Sequence, residues 1–185
     1  MSNRAVIVID MLSDFVTGSL KCERAGRVIP NVKKLIAASR EKSVPVIYCN
    51  DAHFPNVDAE FAVWGSHAVK GTEGAEVIDA LKPTKQDFVI DKRRYSCFFE
   101  TGLDILLREL DVDTVILTGL HTNCCIKHTA ADATFRLYKI EIPEDCVDAF
   151  TEEEHKFGLD YMEKFYKVKI TTTDKIINEL EQATA

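Results

Sequence analysis

The sequence contains no apolar run approaching the roughly 20 residues that a membrane-spanning helix requires, so no helical transmembrane segment is expected. It has no long basic run either, and a formal net charge of −7 with a pI near 5.3 argues against a nucleic-acid partner. Its six cysteines contain no C-x-x-C pair, which removes the usual zinc-ribbon and dithiol spacings. Without secretory context they read as reduced thiols and not as a disulfide framework. Internal repeats, low-complexity segments and linkers are absent. Met1-Ser-Asn-Arg-Ala5 leads straight into a strand-like segment and not into a signal peptide, so a cytoplasmic location is expected. What remains is an ordinary globular composition, 46% hydrophobic and 29% charged over 185 residues, long enough for one domain with a sizeable core.

Apolar runs alternate with helix-period segments along the chain. Ala5–Asp10, Pro45–Asn50, Asp87–Asp91, Thr114–Thr118, Lys139–Glu144 and Lys167–Thr172 read as strands. Helices are expected after Pro30 (Val32, Leu35, Ile36), from about Ala75 to Leu81, around Leu103–Leu110, after the cysteine pair, from Thr151 to about Lys164, and from Thr173. Residues 52–74 carry Pro, Gly and aromatics without periodicity and read as a long, functional loop. Six strands alternating with helices predict a single doubly wound α/β domain over residues 1–185. Its six-stranded, mostly parallel sheet would be covered by helices on both faces.

In such sheets ligands bind beyond the carboxyl ends of the strands, so the residues left there matter. They are Asp10, then Asp51 with His53, then Lys92, then His121 with Cys124 and Cys125. Gly119 allows a sharp turn after the fourth strand, and Thr122 or Asn123 can cap the helix that follows. Two thiols then sit in a helix's first turn, where free N–H groups and partial positive charge favour a thiolate and could hold an oxyanion. The residue pattern alone does not choose between Cys124 and Cys125, and either could be a packing residue. Asp10 could exchange a proton with the thiol, and Lys92 could hold Asp10 and add positive charge. Each also has a plain alternative, Asp10 as a turn cap and Lys92 as part of the solvated run Asp91-Lys-Arg-Arg94. Asp51 and His53 point the same way on an extended segment, so with His67 they could bind a cation while leaving open positions.

These segments resemble the isochorismatase-like cysteine hydrolases, a superfamily that includes nicotinamidases and N-carbamoylsarcosine amidase. Val-Ile-Asp10-Met-Leu-Ser-Asp-Phe15, Trp64-Gly-Ser-His67, Asp91-Lys92-Arg-Arg-Tyr-Ser-Cys-Phe98 and Gly119-Leu-His-Thr-Asn-Cys-Cys125 carry the likeness, which spans Ala5 to about Thr172. The resemblance implies a catalytic set of Asp10, Lys92 and Cys125 and an oxyanion hole from the backbone of His121 and Cys125. It also implies a cis peptide at Leu120–His121, substrate contacts from Phe15, Trp64 and Leu120, and a divalent metal, zinc first, on Asp51, His53 and His67.

The implied activity is release of ammonia from a small amide through a thioester, with nicotinamide first and an N-carbamoylsarcosine-like substrate second. Ether cleavage of the isochorismatase type and a non-catalytic binding role are the remaining alternatives. A homo-oligomer is expected by analogy. Three positions depart from the family pattern. Leu12 replaces a frequent Gln, Phe54-Pro-Asn-Val-Asp58 lacks an additional histidine, and His121 stands where a small residue is usual.

Overall fold

The computed structural model describes residues 3–183. Seven strands form one sheet: β1 (Arg4–Ile9), β2 (Val46–Asp51), β3 (Phe88–Lys92), β4 (Thr114–Leu120), β5 (Lys139–Pro143), β6 (Val147–Asp148) and β7 (Lys169–Thr171). The order is β3-β2-β1-β4-β5-β7, every paired strand is parallel, and β6 joins β4 beyond the end of the β4–β5 pairing. The helices are α1 (Ser13–Val16), α2 (Ile29–Glu41), α3 (Phe61–Trp64), α4 (Leu103–Glu109), α5 (Lys127–Phe135), α6 (Glu152–Tyr166) and α7 (Thr173–Ala183). No helix among the described residues is long and apolar enough to cross a membrane.

Strand periodicity sorts the core into two layers. Ala5, Ile7 and Ile9 of β1 join Val115 and Leu117 of β4 against α4, α5 and α6, through Leu107, Ala130 and Met162. The intervening Val6, Val8 and Ile116 face α2 and α7, packing with Leu35, Ile36, Ile176 and Leu180. Because both faces are covered, β2 and β4 are buried along their whole length, which explains why they are largely apolar up to the polar carboxyl end of β2. Pro30 lies in the first turn of α2, where its missing N–H costs nothing. Thr151 and Glu154 close a reciprocal capping box at the start of α6, which fixes where that helix begins.

Three expectations need correction. The sheet has seven strands and not six, because the two residues of β6 are too few to leave a periodic signal. The helix expected at Ala75–Leu81 is two short 3₁₀ turns, Glu73–Ala75 and Asp79–Leu81. Between them Val77 bridges Leu12, and Glu76 and Ile78 exchange backbone bonds with Ser13 and Met11, which holds the segment extended. The loop 52–74 contains the single turn α3.

Candidate active site

The strand order reverses direction between β1 and β4, so the topological switch point lies at their carboxyl ends. Gly119 makes that junction possible. A Cβ there would lie 1.9 Å from the Ile9 carbonyl oxygen, and its φ of 107° is one that L residues rarely adopt. Asp10 follows β1 with φ 54°, a left-handed turn that Asp tolerates better than most residues. The Leu120–His121 peptide is cis. A wide π-type turn, Thr122–Ile126, then carries both thiols into α5. The His121 carbonyl accepts from Cys124 N–H at 3.0 Å and from Ile126 N–H at 3.2 Å, which holds that turn open. Neither Thr122 nor Asn123 caps it. His121 occupies the cap position without a side-chain bond, and Thr122 Oγ1 instead pairs with His155 Nδ1 at 2.9 Å.

Lys92 joins the strand ends. Its Nζ lies 2.8 Å from Asp10 Oδ2, 2.6 Å from Asp51 Oδ1 and 3.8 Å from Cys125 Sγ, on a residue that is 1% exposed. Asp10 Oδ1 also accepts the Asp51 backbone N–H at 2.8 Å. Burial opposes the Lys92 charge, but Asp10 and Asp51 outweigh it and hold the ammonium well above its ordinary range. Asp51 is held low, the neighbouring Lys92 ammonium opposing its burial. Asp10 goes the other way. Burial and the neighbouring Asp51 charge raise it to about 7, with Lys92 opposing. The neighbouring Cys124 and burial push the Cys125 thiol well up. The more exposed Cys124, lying beside Cys125 and His128, is pushed down.

A second cluster lies beside the first. Asp51, His53, Glu60 and His67 each offer one ligand atom, all within 4.8 Å of one another. Backbone pairing of His53 with Ala68 and Lys70, each at 2.9 Å, brings the far end of the long loop alongside β2 and sets His67 next to His53. Asp58 meets His53 Nδ1 at 3.1 Å, and the Gly65 carbonyl meets His67 Nδ1 at 2.8 Å. Both rings therefore carry their proton on Nδ1 and turn a free Nε2 to the cluster, the arrangement expected of metal-ligating histidines. His53 Nε2 and Glu60 Oε2 are buried without any partner. Two imidazoles and two carboxylates with orphaned inward atoms suit a divalent cation such as zinc.

Both clusters open on a small cavity, lined among others by Phe15, Trp64, Tyr95, His121, Cys125 and Phe150. Asp51, Glu60 and Glu154 also line it, and no described lysine or arginine does. Trp64 stacks on Phe150 with ring centroids 6.3 Å apart and bonds the Tyr95 hydroxyl through Nε1 at 2.9 Å. Phe15 packs edge-on to His121 and tilted against His67, each at 5.7 Å. The His121 side chain thus enters the cavity wall, and burial pushes its imidazole down to about 4. Asp10, Lys92 and His53 lie behind the wall. Leu120 does not reach the cavity. It packs with Val6, Val8 and Ile116 on the α2–α7 side, as strand alternation from Ile116 requires.

Sequence reading missed Glu60 and Asp58. Both sit in the aperiodic loop, and the available signal was only an acidic pair, Asp58-Ala-Glu60, between the two histidines. Cys22, Cys49, Cys97 and Cys146 are buried free thiols away from the cavity walls.

Comparison with known proteins gives the family. N-carbamoylsarcosine amidase from Thermoplasma acidophilum is 39% identical, covers 94% of this chain and 98% of its own, and superposes with a TM-score of 0.87. Nicotinamidase PncA from Bacillus subtilis is 30% identical over 91% of this chain and 99% of its own, TM-score 0.86. A pyrazinamidase of Pyrococcus horikoshii, whose crystal structure is in complex with zinc, is 28% identical over 92% and 99%, TM-score 0.85. The Isochorismatase domain matches residues 4–174, nearly the whole chain, and the protein belongs to that family.

Proposed function

We propose that the protein is a cysteine-dependent amidohydrolase that releases ammonia from a small, uncharged carboxamide, with nicotinamide the first candidate. The observation that carries this reading is the buried contact of Lys92 with Asp10, Asp51 and Cys125 at the base of an aromatic cavity. Asp10, raised towards neutrality, is suited to accept the Cys125 proton and return it. In the proposed cycle Asp10 takes that proton as Sγ bonds to the amide carbon. The backbone N–H groups of His121 and Cys125 hold the oxyanion. The C–N bond then breaks as Asp10 protonates the leaving nitrogen, and ammonia departs from a thioester on Cys125. Water gives a proton to Asp10 and attacks the thioester, the C–S bond breaks, and the carboxylic acid leaves with the thiol restored. Lys92 stays protonated throughout and keeps Asp10 and the sulfur in register. Phe15 and Trp64 flank a flat substrate.

Asp51, His53, Glu60 and His67 are the residues that would hold a divalent metal, and zinc is the first choice. Bound there, it would offset the two carboxylates and act as a Lewis acid for a substrate heteroatom or water. The second substrate, a carbamoyl amino acid, presents the same bond for cleavage but brings a carboxylate. Outside the metal cluster the cavity meets that group with Glu154 and with no lysine or arginine among its described lining residues, which favours the uncharged amide.

Ammonia release from nicotinamide, pyrazinamide and N-carbamoylsarcosine tests the reading. The expected result is turnover of nicotinamide that falls roughly 10³-fold or more in Cys125→Ala. Release only from the carbamoyl compound would retain the chemistry and replace the substrate. Silence across the panel would overturn the assignment.

A further inference from the structure

The polar side chains around the cavity differ in whether their hydrogen-bonding atoms are already engaged. The Tyr95 hydroxyl accepts from Trp64, and the Glu154 carboxylate holds Thr151. Asp51, Glu60 and His67 belong to the metal-type cluster. His121 and Asn123 stand apart from these, Asn123 Oδ1 being likewise buried without a partner, and of the two only His121 stacks on the aromatic wall. It lines the cavity, is 5% exposed, and its Nε2 is buried with no partner. The ring stacks on Phe150 with centroids 4.2 Å apart and an interplanar angle of 23°, and meets Phe15 edge-on at 88°. Its own carbonyl is tied into the turn that carries Cys125. The imidazole is therefore fixed in place by packing, while its nitrogen carries a desolvation cost that no group in the protein offsets. A phenyl ring would stack as well without that cost.

We propose that His121 is a substrate-recognition residue whose Nε2 hydrogen-bonds a polar atom of the substrate outside the amide that is cleaved. The proposal rests on the amidohydrolase reading and narrows its substrates to flat amides bearing a second, uncharged hydrogen-bonding group. The neutral ring donates to a heteroatom or carbonyl in one tautomer and accepts from an N–H or O–H in the other. A site built around such a bond discriminates against the analogue that leaves it unmade.

Binding of benzamide, nicotinamide and pyrazinamide to Cys125→Ala, and to Cys125→Ala combined with His121→Phe, tests this by calorimetry. Wild-type turnover of the same amides is measured alongside. His121→Phe should weaken binding of the two heteroaromatic amides about tenfold or more and leave benzamide within about threefold. Where His121→Phe does not fold, His121→Leu carries the same comparison. Equal weakening of all three ligands, or no weakening, in a protein that turns over amides would overturn the proposal and leave the amidohydrolase reading standing. No turnover of any amide by the wild type would overturn both.

Discussion

Two clusters of ionisable groups meet at Asp51, and they are built on opposite principles. Around Lys92 the polar contacts are complete, with the ammonium 2.8 Å from Asp10 and 2.6 Å from Asp51. Around His53 they are not. The ring lies 3.7 Å from both Asp51 Oδ2 and Glu60 Oε2, and His53 Nε2 and Glu60 Oε2 have no partner. The first cluster carries its own cation. The second presents carboxylates and imidazole lone pairs to a common point and supplies none. In the proposed cycle the first cluster moves a proton, while the second is suited to hold a divalent cation. Asp51 links them, one carboxylate oxygen turned to each.

The largest expected effect comes from removing the internal cation. Lys92→Met leaves two buried carboxylates facing each other and should cost about 3–5 kcal/mol of stability in urea unfolding, with loss of activity. A smaller effect is expected from adding a cation to the second cluster. Zinc at about 100 times its dissociation constant should add about 2.7 kcal/mol of stability to the wild type, read as a raised melting temperature. It should add little to His53→Ala. The smallest effect has the opposite sign. Glu60 is raised by burial and by Asp51, so Glu60→Gln in metal-free protein should leave stability unchanged or raise it by about 1 kcal/mol, because an unpaired buried charge is removed. The same variant should weaken zinc binding. If Lys92→Met proved neutral while Glu60→Gln destabilised strongly, the contrast between the clusters would be reversed.

The sequence carried the closed cluster more clearly than the open one. Asp10, Lys92 and the thiols stand at the ends of apolar strands, and a parallel sheet brings strand ends together whatever the loops do. Strand alternation also held enough information to turn Leu120 away from the cavity, since it shares its face with Ile116 and Val6. Glu60 was not legible, because an aperiodic loop places it through the single turn of α3 and the pairing of His53 with the segment around Ala68. The orientation of His121 depends on Phe15 and Phe150, aromatic rings 106 and 29 residues away in sequence, and no local pattern encodes that packing. The extended backbone at Glu76–Ile78 was likewise decided by a partner, the Met11–Ser13 segment, and not by its own propensity.

The most direct test of the central claim is to find where the acyl group goes. Protein mixed with nicotinamide and quenched in acid within the first turnovers would be digested and its cysteine peptides examined by mass spectrometry. The account predicts a nicotinoyl thioester on Cys125, absent in Cys125→Ala and retained in Cys124→Ala. An acyl group on Cys124, or continued ammonia release from Cys125→Ala, would contradict it.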